Sequence, residues 1–364
     1  MTLENEDIDA AVAAGVIPQE QADALRAFAA ERRRAPLAQS GQEDESFRFM
    51  TGFNDFFFAI GILLLGSGIG FFVAGSYSMW PVVLAAAIMW GLSELLVRRL
   101  RLVLPGILLS VFFIMFVYLA APPDLFASEP EYSMPGTLAN FLAGSPLAAV
   151  TKSLVGIAAA GLYYWRFRLP FALLPIAASL VLAVNALTTL AIGPLSATIN
   201  SLLGLASGIA VFVAAMTYDM SDRDRTTRRA DCAFWLHLLA APLIVHSLVS
   251  LITPDVRLLT DTAAIAIILI IAVLAILAIA IDRRALLVSA LLYAGVVIAY
   301  AIGGPAVWAA RSGPDKGLVF FATLTILGAF VIALGVGWVP LRRRLIGLIS
   351  PFIAGKLPPV PNRI

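Results

Sequence analysis

Ten long apolar segments occupy most of this 364-residue chain from residue 56 onwards, and they restrict its fold more than any other feature. Each is close to the roughly 20 residues that an α-helix needs to cross a hydrocarbon core. Backbone groups in lipid must be satisfied within the segment, and continuous apolar runs do not fit barrel strands, which alternate. The sequence therefore predicts an all-α membrane protein, with spans at 56–74, 80–97, 102–120, 147–165, 169–192, 199–218, 232–252, 262–281, 285–302 and 317–339.

Composition supports the same class of protein. Charged residues make up 13% of the chain and hydrophobic residues 60%, whereas soluble domains carry about 25% charged residues. This balance excludes an ordinary globular enzyme. The single cysteine, Cys232, cannot form an internal disulfide or a cysteine-rich metal site.

Lysine and arginine are distributed unevenly between the two ends of the predicted spans. Only Lys152, Arg257, Arg311 and Lys316 lie on one side, and the other 21 of the 25 basic residues lie on the opposite side. Segments rich in basic residues stay in the cytosol. The pattern therefore predicts both termini in the cytosol. We expect the membrane to be a bacterial inner membrane, because abundant arginine and alanine are typical of GC-rich bacterial genomes.

The loops on the two sides of the membrane differ in length and charge. Tight basic elbows follow spans two, four and eight, and a longer basic elbow follows span six. This pattern predicts successive helical hairpins with their turns inside the cell. Segment 121–146 on the opposite side contains three acidic residues and no basic residue, which predicts an acidic loop outside the cell.

The N-terminal segment, 1–34, has the pattern of a small cytosolic helical hairpin. Gly15 is placed to end its first helix, because glycine tolerates the left-handed conformation found there. Pro18 suits the first turn of a second helix. So small a hairpin buries little core, and we expect it to bind a cytosolic protein partner or the membrane part. A polar linker, 35–55, follows it.

The C-terminal segment, 340–364, follows the spanning domain, 56–339. Leucine and isoleucine recur at helical spacing over 341–353, with Arg342–Arg344 beside them. This predicts an amphipathic helix at the cytosolic interface that anionic membrane lipids hold, followed by a Pro-rich tail.

Four short stretches carry a resemblance to a known group. They are the N-terminal GVIPQEQADAL, the glycine-rich first span, the DRRALL elbow and the terminal WVPLRRRLIGL…LPP. In these the chain resembles uncharacterised bacterial polytopic inner-membrane proteins with a short N-terminal cytosolic helical domain. The resemblance implies this architecture from end to end. It implies no activity and no site residue.

One polar cluster is the candidate site. Asn185, Thr188 and Thr189 share one face of span five, and His246 and Ser250 share one face of span seven. Polar groups inside spans are costly and are therefore site candidates. The two groups fall at similar depth in the outer half of the bilayer, so we expect them to meet. The meeting place would be either a polar pocket or an interhelical hydrogen-bond contact without a ligand.

The two histidines predict no metal site. His237 and His246 are nine residues apart and fall on opposite faces of a straight helix, although Pro242 between them can kink it. A proton-relay role for either remains open. No hydrolase, phosphate-loop or zinc-protease motif occurs, so the sequence predicts no catalytic residue and no cofactor.

Other features of the spans have structural interpretations. Glu94 lies four residues before Arg98, a spacing that predicts an ion pair at the interface. The GxxxG pairs Gly66–Gly70 and Gly204–Gly208 predict close packing of helices within the chain, with a dimer interface as the alternative.

Two functions compete on this evidence. Sparse polarity inside the spans favours a non-enzymatic scaffold or regulator, with 1–34 recruiting a cytosolic partner. Ten spans and the prolines Pro105, Pro175 and Pro242 favour a small-solute transporter. A water-filled cavity lined by Asn185 and His246 would distinguish the transporter. Topology accounts for the basic elbows, so no nucleic acid is expected.

Overall fold

The computed structural model describes residues 12–16, 18–24, 53–74, 79–120, 145–222, 225, 227–255, 259–309, 314–348 and 357–358. These ranges contain helices and turns but no strand. Ten of the helices are long and apolar enough to cross a membrane. The predicted all-α class and the predicted number of candidate spans are therefore confirmed.

The ten long helices follow the predicted spans closely. They are α1 (Phe53–Ala74), α2 (Met79–Ser93), α3 (Val103–Ala120), α4 (Pro146–Phe167), α5 (Leu173–Ile192), α6 (Ala197–Ser221), α7 (Arg228–Ile252), α8 (Asp261–Ile281), α9 (Ala285–Ala309) and α10 (Pro314–Leu348). A π-helical segment, Glu94–Arg99, extends α2, and a short 3-10 turn, Pro170–Ala172, precedes α5.

Side-chain caps explain where several of these helices begin. Ser145, Ser196, Thr227 and Thr260 each accept a hydrogen bond from a backbone N–H in the first turn of α4, α6, α7 and α8, at 3.2–3.3 Å. The first turn of a helix has N–H groups without a partner in the helix, and a serine or threonine oxygen satisfies one of them.

The four basic elbows share a backbone conformation and lie together. Arg101, Arg168, Arg225 and Asp282 follow α2, α4, α6 and α8, and each has a left-handed φ between 52° and 59°. Such angles are uncommon for residues other than glycine. Glu94 binds Arg166, Arg228 donates to the carbonyl of Arg168, and Asp219 binds Arg283. These contacts join all four turns at one end of the bundle, which we call the elbow end.

The described buried apolar residues form one cluster from α1 to the start of α5 and two further clusters, both of which include residues of α7. Trp90, Phe113 and Tyr163 pack together between α2, α3 and α4. Helix α7 contacts α5, α6, α8 and α9. The close pairing of α6 and α7 depends on Gly208, because a Cβ there would lie 2.9 Å from Cγ1 of Ile244. The prediction that Gly204–Gly208 packs within the chain is therefore confirmed.

The last helix is longer than predicted. Helix α10 continues through Pro340 to Leu348, so the predicted amphipathic segment begins as part of the last span. Within it Arg343 and Arg344 are exposed, but Arg342 is only 1% exposed. Arg342 therefore points into the protein and not towards lipid headgroups.

The N-terminal and loop predictions fall mainly outside the described residues. Gly15 has the predicted left-handed conformation, with φ of 69°, and a helical turn follows Pro18. The rest of the predicted hairpin, nearly all of 35–55 and most of loop 121–146 lie outside those ranges.

Candidate functional site

Three buried ionisable side chains meet at the elbow end. Asp219, in the last turn of α6, accepts a hydrogen bond from Nε of Arg283 at 3.0 Å, and Nη2 of Arg283 binds the other carboxylate oxygen. Nε2 of His237 on α7 lies 2.9 Å from Oδ2 of the same carboxylate. Each of the three side chains is at most 5% exposed. One carboxylate therefore joins α6, α7 and the turn after α8.

The hydrogen bonds assign the tautomer of His237. A carboxylate held by both arms of an arginine accepts hydrogen bonds and donates none, so Nε2 of the imidazole carries the proton. The other ring nitrogen, Nδ1, is buried and has no hydrogen-bond partner among the described residues. The ring packs edge-on against Phe212, with the ring centroids 5.3 Å apart.

A second carboxylate organises the adjacent contacts. Asp282 ends α8, and its Oδ1 accepts a hydrogen bond from Nε1 of Trp338 at 2.7 Å. Nη1 of Arg225 lies 3.2 Å from Oδ2, and Nε of Arg342 lies 3.8 Å from Oδ1. The guanidinium of Arg284 lies over the Trp338 ring at 5.3 Å. Helix α10 is thus fastened to the end of α8.

The arginines also satisfy backbone groups that the helix ends leave open. Nη2 of Arg225 donates to the carbonyls of Ile281 and Asp282 at 3.2 and 2.8 Å. The last carbonyls of a helix have no partner within it and favour a positive charge. Nη2 of Arg342 donates to the carbonyl of Pro358 at 2.6 Å. This contact brings the C-terminal tail to the same place, where Leu357 is buried near Trp338.

We call this set the charge cluster. Its members are Asp219, Arg225, His237, Asp282, Arg283, Trp338 and Arg342. The guanidinium groups bind the carboxylates, and among the described residues no nucleophilic hydroxyl or thiol forms a hydrogen bond with His237. Within those residues there is also no group of three or more metal-binding side chains. The contacts of the charge cluster fasten helices to one another.

The predicted polar cluster has different partners. Nδ2 of Asn185 donates to Oδ1 of Asn200 on α6 at 2.6 Å. The hydroxyls of Thr188 and Thr189 donate to the carbonyls four residues before them, those of Val184 and Asn185.

His246, which belongs to the part of that cluster on span seven, pairs with α9. Nδ1 of His246 lies 2.6 Å from the hydroxyl of Tyr293, and His246 is exposed at the bundle surface. Ser250 lies one turn further along α7 and is half-buried. Among the described residues, no hydrogen bond joins Asn185 or its neighbours on α5 to His246 or Ser250. Their meeting in one pocket stays a prediction.

The charge cluster does not follow from the predicted spans, for a definite reason. The predicted spans six and eight end at 218 and 281, one residue before Asp219 and Asp282, whereas α6 runs to Ser221. The predicted boundaries therefore place both acids in loops, where charges are unremarkable. A signal was present, because Asp219 follows an apolar run of α6 without a break.

The first half of the bundle has a smaller polar contact. The predicted pair of Glu94 and Arg98 is confirmed at 3.3 Å, and Arg166 of α4 binds the same carboxylate oxygen at 2.7 Å. Deeper in the bundle, the buried hydroxyl of Tyr163 donates to Oγ of Ser93 at 2.9 Å. These contacts join α2 to α4.

The fold and the charge cluster define a multi-pass helical protein of the membrane-spanning class. In comparisons with known proteins, no family model, no curated protein and no solved structure matches the chain. The resemblance to uncharacterised polytopic proteins stays a prediction, and any function must be argued from the geometry.

Proposed function

We propose that this chain is a non-enzymatic scaffold or regulator of a bacterial inner membrane. The observation that carries the proposal is the position of the charge cluster. Its contacts join the end of α6 and the turn after α8 to the interior of α7 and to the second half of α10, and they include the C-terminal tail. Buried charges cost free energy and persist where they are paired. Such a cluster fixes the relative positions of these helices, as a scaffold requires.

The proposal places both termini and the elbow end in the cytosol. Support comes from the lysine and arginine distribution and from the contacts that join the four basic turns. Helix pairs α2–α3, α4–α5, α6–α7 and α8–α9 contact each other, which supports a construction from successive hairpins with cytosolic turns. In this orientation the N-terminal segment, 1–34, is available to a cytosolic protein partner.

A small-solute transporter is the second candidate. The observations that favour it are the polar pairs Asn185–Asn200 and His246–Tyr293. Asn185, His246 and Asn200 lie in the halves of α5, α7 and α6 that are far from the elbow end, whereas Tyr293 lies in the half of α9 that begins at the elbow. Polar side chains at this depth would line a solute pathway if water reached them.

Thiol accessibility distinguishes the two functions. Asn185→Cys and His246→Cys would be made separately in a Cys232→Ser background, in membranes that are open on both sides. A charged thiol reagent reacts with cysteines in water and not with those facing lipid or packed protein. The scaffold predicts slow reaction at both positions, and the transporter predicts fast reaction at both.

Two matched positions calibrate the rates. Leu187→Cys lies two residues from Asn185 on α5 and is expected to face lipid, since Leu187 is 51% exposed and apolar. Ala197→Cys lies at the exposed start of α6 and should react as in water. Rates at Asn185→Cys and His246→Cys equal to that of Ala197→Cys would overturn the scaffold and support transport.

A further inference from the structure

A small open pocket lies beside the charge cluster. Thr217, Tyr218 and Ser221 of the last turns of α6 line it, together with Arg229 of the first turn of α7. Its volume is about 230 Å³. None of these four side chains takes part in the contacts of the charge cluster, and the scaffold proposal gives the pocket no role.

Arg229 is the cation of this pocket. Its side chain is exposed, and its guanidinium forms no hydrogen bond or ion pair with a described residue. The two acids in the described last turn of α6 and just after it have other partners, because Asp219 binds Arg283 and Asp222 accepts two hydrogen bonds from Thr227. Asp231 follows Arg229 by two residues, which places it about 200° away around the α7 axis. Of the four described side chains that line the pocket, Arg229 is the charged one, and its charge is positive.

An apolar stripe leads away from the pocket along α6. Thr217 shares a helix face with Val213 and Ile209, and Leu202 continues this face. These three apolar side chains are 55%, 49% and 51% exposed. Each step of four residues moves about 6 Å along the helix. The stripe thus runs from the charged pocket into the span.

We propose that this pocket binds the headgroup of an anionic phospholipid of the cytosolic leaflet. The phosphate pairs with Arg229, and an acyl chain lies along Val213 and Ile209. The hydroxyls of Thr217 and Ser221 donate to the carbonyls of Ala214 and Tyr218 at 2.7 and 2.8 Å. Their free lone pairs accept hydrogen bonds from a hydroxylated headgroup such as glycerol.

The apolar stripe distinguishes a lipid from a free phosphate ion. An ion would gain only the contact with Arg229, whereas a lipid also covers exposed apolar surface. The choice of leaflet rests on the proposed orientation. The contact between the pocket and the lipid does not, so binding can be tested without reference to the sidedness of the membrane.

Native mass spectrometry of the full chain in detergent micelles tests the proposal. Phosphatidylglycerol, phosphatidylcholine and inorganic phosphate are added in separate titrations. We expect retention of phosphatidylglycerol in preference to the other two. Arg229→Gln should weaken phosphatidylglycerol binding about tenfold, the change expected from losing one charge-assisted hydrogen bond. Arg99→Gln, at another exposed arginine of the elbow end, should leave it unchanged.

Other outcomes would overturn the proposal in distinct ways. Equal losses in Arg229→Gln and Arg99→Gln would mean diffuse charge attraction. Equal binding of phosphatidylcholine would exclude a preference for anionic lipid, and competition by inorganic phosphate at similar concentration would mean an ion site. Val213→Glu should weaken lipid binding. Unchanged binding in this variant would contradict the proposed contact between the acyl chain and Val213. Thermal unfolding of each variant establishes that the variant is folded. Tyr218→Phe is a milder change within the pocket than Arg229→Gln, because it removes a hydroxyl and no charge.

Discussion

The carboxylate of Asp219 on α6 is bound by the guanidinium of Arg283, which lies 64 residues further along the chain in the turn after α8. His237 of α7 bonds to the same carboxylate. This relationship connects three helices that are consecutive in sequence and fixes the end of the bundle at which they meet. It also brings Asp282, the neighbour of Arg283, against α10 and the C-terminal tail.

The first prediction concerns this carboxylate. Asp219→Asn leaves the buried guanidinium of Arg283 without its ionised partner, and removing one member of a buried pair costs about 3–5 kcal/mol. Chemical unfolding in detergent micelles should show a loss of this size in the free energy of unfolding. The matched control is Glu94→Gln, whose carboxylate is 31% exposed in its ion pairs. Exposed pairs contribute at most about 1 kcal/mol. A loss in Asp219→Asn as small as the loss expected for Glu94→Gln would mean that the Asp219 pair does not hold the helices together.

The second prediction concerns the C-terminal tail. Leu357 is 8% exposed and packs in the cluster that contains Trp338, whereas Leu348 is 85% exposed. Leu357→Ala should therefore lower the free energy of unfolding by about 2 kcal/mol, the lower end of the range for buried leucine truncations. Leu348→Ala should change it by much less. Calorimetry of the purified variants makes the comparison, and a neutral Leu357→Ala would show that the tail is not part of the fold.

The third prediction concerns the contact of α6 with α7. At Gly208, an added Cβ would lie 3.0 Å from Cβ of Leu243 and 3.1 Å from the backbone nitrogen of Ile244. Gly208→Ala should therefore destabilise the protein, since backbone atoms cannot move aside cheaply. At Gly68 of α1 no atom lies within 4 Å of an added Cβ, so Gly68→Ala should be neutral or slightly stabilising. Thermal unfolding of both variants tests the difference, and a tolerated Gly208→Ala would contradict the close approach.

The helices and turns could be predicted from the sequence, because backbone polar groups in lipid must form hydrogen bonds within their own segment. A span must be helical and about 20 residues long, so apolar runs alone predicted ten helices. The pair of Glu94 and Arg98 followed from helical spacing within one segment. Local rules of this kind need no knowledge of which helices are neighbours.

The side-chain partners of the candidate site did not follow from the sequence, because they depend on neighbours distant in sequence. Equal depth on spans five and seven predicts that Asn185 and His246 meet, and this stays a prediction. Depth does not predict their hydrogen-bond partners, which are Asn200 of α6 and Tyr293 of α9. Depth along the membrane normal leaves open which face of a helix meets which neighbour. The inward direction of the Arg342 side chain could not be predicted from the sequence for a related reason. Arginines after a span are expected to face lipid headgroups.

Sidedness is the central claim, because the position of the charge cluster, the role of residues 1–34 and the leaflet of the lipid all depend on it. Single cysteines in a Cys232→Ser background measure it most directly. Ser128→Cys lies in the acidic loop, and Met220→Cys lies at the exposed end of α6, where Met220 is 49% exposed. An impermeant thiol reagent added to intact cells should label Ser128→Cys, and it should label Met220→Cys only after the membrane is permeabilised. Labelling of Met220→Cys in intact cells, with Ser128→Cys protected until permeabilisation, would contradict the account.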